Sequence, residues 1–147
     1  MHTQSVNDAQ ESDWRKVEVC FGTGATDTVM PLCMCDHIAV TPSTQSERGT
    51  EYEVANGETI PNVGERRCVV MTEGSELPKL MNFQVCDVHK PLLSATMVCD
   101  MNYRCVLERN GGYLEDQETR DVIPLHRRGS LYVMNIWVKE SSFTRQG

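Results

Sequence analysis

The sequence predicts a mostly β, barrel-like domain, and three observations carry that prediction. Short apolar runs alternate with period two, turn-forming Gly, Asn and Pro residues separate them at short intervals, and only one or two segments suit a short helix. A chain of 147 residues is the size of one domain with one hydrophobic core. Its 39% hydrophobic and 24% charged residues suit a soluble globular chain and exclude wholesale disorder.

Residues 1–13 are polar, carry two acidic clusters and lack periodicity, so they are expected to form a flexible tail. The fold should begin near Trp14. Val17, Val19 and Phe21 alternate with Lys16, Glu18 and Cys20, as in a strand with one buried face. That strand runs into Gly22-Thr23-Gly24-Ala25, where two glycines imply a tight turn or a close approach to the main chain. Pro31 breaks the extended run after Met30, and Leu32 to Val40 reads as a short helical turn ahead of the polar stretch Thr41 to Gly49.

A hairpin follows. Thr50 to Val54 alternates, Ala55-Asn56-Gly57-Glu58 supplies an Asn-Gly pair suited to a type I′ turn, and Thr59-Ile60 starts the return. Val63 to Thr72 and Leu80 to Val88 are strands joined by a polar loop. Ser94 is placed to cap a short helix over Ala95 to Met101. Tyr103 to Glu108 and Tyr113 to Glu115 form a second hairpin about Asn110-Gly111-Gly112, and Ser130 to Lys139 is the last strand.

Lys plus Arg (14) against Asp plus Glu (21) gives a net charge of -7, the wrong sign for a chain that holds nucleic acid or anionic lipid through its own field. The start of the chain is unlike a signal peptide, and no apolar run approaches the length of a membrane-spanning helix. Seven cysteines, an odd number without a Cys-x-x-Cys spacing, read mostly as reduced core thiols. The expected setting is an intracellular, cytoplasmic, reducing compartment.

The stretch Phe21-Gly22-Thr23-Gly24-Ala25-Thr26-Asp27-Thr28-Val29-Met30 resembles the active-site segment of the retropepsins, the aspartic proteases of retroviruses and retrotransposons. That pattern runs apolar-Asp-Thr/Ser-Gly-Ala, one or two polar or acidic residues, then Thr-Val and an apolar residue. Every element is present but one: the family's catalytic Asp aligns with Gly22. Further along, Ala55-Asn56-Gly57-Glu58-Thr59-Ile60-Pro61 with Gly64 resembles the flap hairpin. Phe83 to Val88 followed by Pro91-Leu92-Leu93-Ser94-Ala95 resembles the later strand and short helix of copia-type proteases. Gly129 to Met134 is similar to the segment between protease and integrase in such polyproteins. The similarity runs in order over roughly residues 15 to 138.

The resemblance implies a retropepsin-like closed β-barrel lobe with a flap hairpin and one short helix. Residues 14–108 would be the protease domain and 109–147 a C-terminal β extension. Two carboxylates a few ångströms apart share one proton, so that one acts as general base on water and the other as general acid on the scissile carbonyl. By resemblance the catalytic positions are Gly22, Thr23 and Gly24, and the substrate-binding positions are Ala25, Thr26, Asp27, Ala55, Asn56, Gly57 and Glu58. No second Asp-Thr/Ser-Gly triplet exists: Asp27 leads into Thr28-Val29, Asp87 into Val88-His89, and Asp100 into Met101-Asn102. A complete site would therefore need a symmetric homodimer, with a peptide or polyprotein as substrate and no cofactor.

With Gly at the catalytic position, the expected protein is an aspartic-type endopeptidase domain without measurable hydrolysis. The alternatives are a catalytically dead dimerisation or peptide-binding module, and an element remnant with no selected function. Cys33, Cys35 and His37 alternate like soft metal ligands but have no fourth partner at a recognised spacing, so no metal is expected. His89 and His126 lack a nucleophile motif, and Arg104, Arg120, Arg127 and Arg128 read as a solvated face.

Overall fold

The structure is a computed structural model in which residues 13–140 are described. Apart from Asp13, the expected N-terminal tail lies outside the described residues. The strands are β1 (Trp14–Gly22), β2 (Val29–Pro31), β3 (Glu51–Glu53), β4 (Thr59–Pro61), β5 (Gly64–Thr72), β6 (Lys79–Cys86), β7 (Leu92–Ser94), β8 (Tyr103–Glu108), β9 (Gly111–Asp116), β10 (Val122–Arg128) and β11 (Leu131–Lys139). Two short helices, α1 (Thr44–Glu47) and α2 (Ala95–Asp100), complete the elements.

Six strands close a barrel in the order β1-β7-β2-β6-β5-β11, with β11 pairing back to β1 along its length, from Trp14↔Lys139 to Phe21↔Tyr132. The predicted mostly β barrel with few helices is therefore the observed architecture. Two of its pairings, β1–β7 and β2–β6, are parallel. Each joins strands far apart in sequence, as parallel neighbours require. The hairpin β3–β4 stands apart as a two-stranded sheet.

Alternation along β1 sends Val17, Val19 and Phe21 inward, where they meet Met30, Val70, Phe83, Val85, Leu93, Ile136 and Val138. Phe83, Val19, Val70, Val85 and Ile136 are fully buried, each removing roughly 1.5–3 kcal/mol worth of apolar surface from water. The odd one inside is Arg66, which is 3% exposed. Its guanidinium donates to the carbonyls of Ile38 (2.8 Å) and Met34 (2.7 Å), which satisfies a charge that would otherwise be costly to bury.

Arg66 also explains why Leu32 to Val40 is not the predicted helical turn. Residues 31–38 form successive tight turns, Met34 N–H to Pro31 C=O and Ile38 N–H to Cys35 C=O. Cys35 has φ +56°, which interrupts a right-handed helix, and Arg66 takes the Met34 carbonyl that a helix would have used. The polar stretch 41–49 instead contains α1, whose capping box pairs Ser43 with Ser46.

The boundary expected after residue 108 cuts one continuous sheet, because the barrel takes its closing strand β11 from beyond it. β11 also forks. Its first residues pair with β10 (Leu131 to Val133) and its last with β5 (Ile136 to Val138), so β10-β9-β8 splay away from the barrel as a wing. β10 is not among the strands expected from the sequence, because Pro124 interrupts its short apolar run. Pro124 sits on the stretch that β11 does not pair, where one edge of the strand lacks ladder bonds. In the β8–β9 hairpin the loop is Arg109-Asn110, and Gly111 and Gly112 are already paired residues of β9. No helix among the described residues is long and apolar enough to cross a membrane.

Candidate functional site

β1 ends at Gly22, which pairs in parallel with Ser94, the last residue of β7. Thr23, Gly24 and Thr26 are exposed, Gly22, Ala25 and Asp27 are half-buried, and Thr28 is buried. One fully buried residue fixes both ends of this loop. Ser94 Oγ donates to the Ala25 carbonyl (2.8 Å), and Ser94 N–H donates to Thr28 Oγ1 (3.0 Å). The same Oγ accepts from Met97 N–H (3.2 Å), so the expected cap of α2 also holds the turn.

The glycines of the turn are not required by the chain around them. A Cβ built on Gly22 or Gly24 meets nothing within 4 Å, and neither residue lies in the left-handed region. The close backbone approach inferred from the two glycines is therefore not made by this chain itself. An ordinary side chain fits at Gly22, in open space at the end of a strand whose position is fixed.

Asp27, half-buried, reaches the hairpin. Its Oδ2 accepts from Tyr52 Oη at 2.6 Å. Asn62 Nδ2 donates to Tyr52 Oη (3.0 Å) and to Gln84 Oε1 (2.9 Å), and Gln84 Nε2 donates to Glu65 Oε1 (3.2 Å). Burial, then the bond to the Asp27 carboxylate, push the Tyr52 phenol well above its ordinary range, so it remains a donor at every ordinary pH. The carboxylate expected to contact substrate thus also ties the base of the β3–β4 hairpin to the turn.

The hairpin tip, Ala55 to Glu58, is exposed. Gly57 N–H donates to the Val54 carbonyl and Val54 N–H to the Glu58 carbonyl, both at 2.9 Å. The positive φ falls on Gly57 (+89°) and not on Asn56. A type I′ turn needs positive φ at both central residues, so the expectation is corrected to a three-residue loop closed by a glycine bulge. Asn56 contributes through its side chain, whose Oδ1 accepts from Glu58 N–H (2.9 Å).

The residues expected at the turn lie together, and the hairpin residues are joined to them through Tyr52 and Asp27. Tyr52, Asn62 and Gln84 carry no signal in the sequence, because nothing local distinguishes a bonded polar residue from a solvated one.

Other candidates resolve into ordinary contacts. Cys33 is exposed and Cys35 buried, and His37 Nε2 is bonded to the Lys139 carbonyl (3.0 Å). Among the described residues no group of three or more His, Cys, Asp or Glu converges as a metal site. Arg104 and Arg120 both reach Glu115 (3.3 Å each), Arg128 pairs with Glu18 (2.7 Å), and Arg127 lies over the Tyr132 ring. Only three of the seven cysteines, Cys35, Cys68 and Cys86, are buried, fewer than the core-thiol reading anticipated. Burial pushes the Cys68 thiol up to about 12 and Cys86 to about 11.

A cavity of about 300 Å³ opens where β10 diverges from β5, lined by Leu80, Leu93, Met97, Met101, Leu114 and Met134 among others. Lys79 and Asp121 bridge the two sides of this fork at 3.1 Å. The cavity excludes Gly22 to Gly24, although Thr28 and Leu93 contribute to its wall. Comparisons with protein-family models, curated proteins and solved structures returned no significant match.

Proposed function

We propose that the chain is a retropepsin-like domain of a retroelement polyprotein, built on the plan of an aspartic endopeptidase and unable to hydrolyse peptides with Gly at position 22. One observation carries the reading: the turn aligned with the protease motif ends a barrel strand, is held by Ser94, and leaves open space where a side chain on Gly22 would stand. A carboxylate there would meet its counterpart from a second copy, and the pair would share a proton and activate water. Thr23 and Gly24 alone offer no group that titrates near neutral pH, so water bound at the turn has no general base.

On this reading the working unit is a homodimer with one turn from each chain, and the ligand is an extended peptide beneath the two hairpins. Binding survives the loss of the carboxylate and hydrolysis does not. The test pairs the natural chain with Gly22→Asp. The natural chain is expected to leave a peptide library intact at about pH 4 to 6, and the variant to cut it in a manner blocked by a statine-type inhibitor. Inhibitor-sensitive cleavage by the natural chain overturns the inactive assignment. A folded, dimeric Gly22→Asp protein that cuts nothing, or a strictly monomeric chain by sedimentation, overturns the protease plan.

A further inference from the structure

We propose that Cys99 and Cys105 form a reversible, peroxide-driven intramolecular disulfide that braces α2 against β8. Cys99 is the penultimate residue of α2 and Cys105 the third residue of β8. Between them the chain reverses at Asn102, whose φ is +68° and whose N–H donates to the Cys99 carbonyl (2.9 Å). That reversal sets the two sulfurs face to face at 3.9 Å. Closing to a bond of about 2.05 Å acts at the exposed C-terminal end of a short helix, where Cys99 lies.

The exposures give the two sulfurs different parts. Cys99 is exposed and meets oxidant first, whereas Cys105 is half-buried. Burial, then the hydrogen bond shared with Cys99, push the Cys105 thiol up to about 11 and keep it protonated near neutral pH. The Cys99 thiolate attacks a hydroperoxide, the O–O bond breaks, and with one proton taken up the products are a Cys99 sulfenic acid and an alcohol or water. The Cys105 sulfur then attacks the sulfenyl sulfur, the S–S bond forms, and hydroxide leaves with the Cys105 proton as water. Two thiols are oxidised and one peroxide is reduced. Exchange with a dithiol reverses the step.

The brace acts on the helix that matters to the turn. α2 is capped by Ser94, which holds Ala25 and Thr28, and its Met97 and Val98, with the C-cap Met101, line the cavity at the fork. Cys35, Cys68 and Cys86 are buried away from solvent oxidant, and burial is the largest cause that raises their thiols.

Peptide mapping of the full chain after hydrogen peroxide tests the site. Trypsin cuts after Arg104, between the two cysteines, so the disulfide appears as a cross-link between the peptide bearing Cys99 and the one bearing Cys105, about 2 Da lighter than the sum of the free peptides. Dithiothreitol should abolish it. Cys99→Ser and Cys105→Ser should each lose the cross-link, and Cys86→Ser, which removes the other thiol of the same tryptic peptide, should keep it. The proposal is overturned if the oxidised natural chain carries sulfinic acids at these positions, links either cysteine elsewhere or between chains, or keeps the cross-link in Cys99→Ser. The natural-chain map decides the matter even where a variant fails to fold.

Discussion

Gly22 and Gly64 are the same residue type in opposite situations. Gly64 opens β5 with φ +135°, and a Cβ there would stand 2.6 Å from both the Thr41 carbonyl oxygen and Val40 Cγ1. Gly112 is similarly confined, since its Cβ would fall on the Val106 carbonyl oxygen. At these sites the fold dictates glycine. At Gly22 the backbone is ordinary strand and the space is empty. A glycine that geometry does not require leaves the position free to carry a side chain, and under the proposed function that side chain is a carboxylate.

The contrast is sharpest in stability. Gly64→Ala combines a left-handed backbone with two close contacts and is expected to cost about 3 kcal/mol. Gly22→Ala is expected to stay within about 0.5 kcal/mol of the natural chain, on the stabilising side, because it only restricts the unfolded state. Urea denaturation of both variants measures the difference, and equal losses would break the distinction.

A smaller effect is expected at the bond between turn and hairpin. Tyr52→Phe removes the donor to Asp27 and the acceptor for Asn62 while keeping the ring, at a cost of about 1–2 kcal/mol borne mainly by β3–β4. Hydrogen exchange should speed up roughly tenfold at amides 51–60, while β5 and β6 keep their protection. Unchanged hairpin exchange would show that Tyr52 does not hold it.

The smallest effect concerns the fork. Glu73 Oε1 bonds His126 Nε2 (2.8 Å) and accepts from Asn135 Nδ2 (3.3 Å), and these bonds, that of His126 first, hold its carboxyl below the usual range. A folded-state pKa below the unfolded one means that the stabilisation is present above the unfolded value and is lost as pH falls through the folded one. Both side chains are more than one-third exposed, so solvent screening leaves a few tenths of a kcal/mol. The stability gap between the natural chain and Glu73→Gln should narrow as the pH drops below about 4.5.

What the sequence made legible was local. The alternation of Val17, Val19 and Phe21, the Ser94 cap and the two hairpins are each visible within a few residues, and each is in place. The features that escaped depend on distant partners. The turns at 31–38 are set by Arg66 from another strand, and Pro124 is tolerated because β11 forks away from it. The position of the Gly22 turn was readable as a strand end. Its openness was not, since empty space is a property of every element that fails to fill it. The bond from Tyr52 to Asp27 likewise joins residues that no periodicity connects.

The pairing of β1 with β11 sets a timetable for the newly made chain. As it leaves the ribosome, β1 appears early and must wait, with one edge unsatisfied, until Leu131 to Lys139 have been synthesised. Loop closure over that separation is slow and leaves an adhesive strand exposed meanwhile. A premature stop ahead of β11 would therefore abolish the cylinder as a whole, not trim its end.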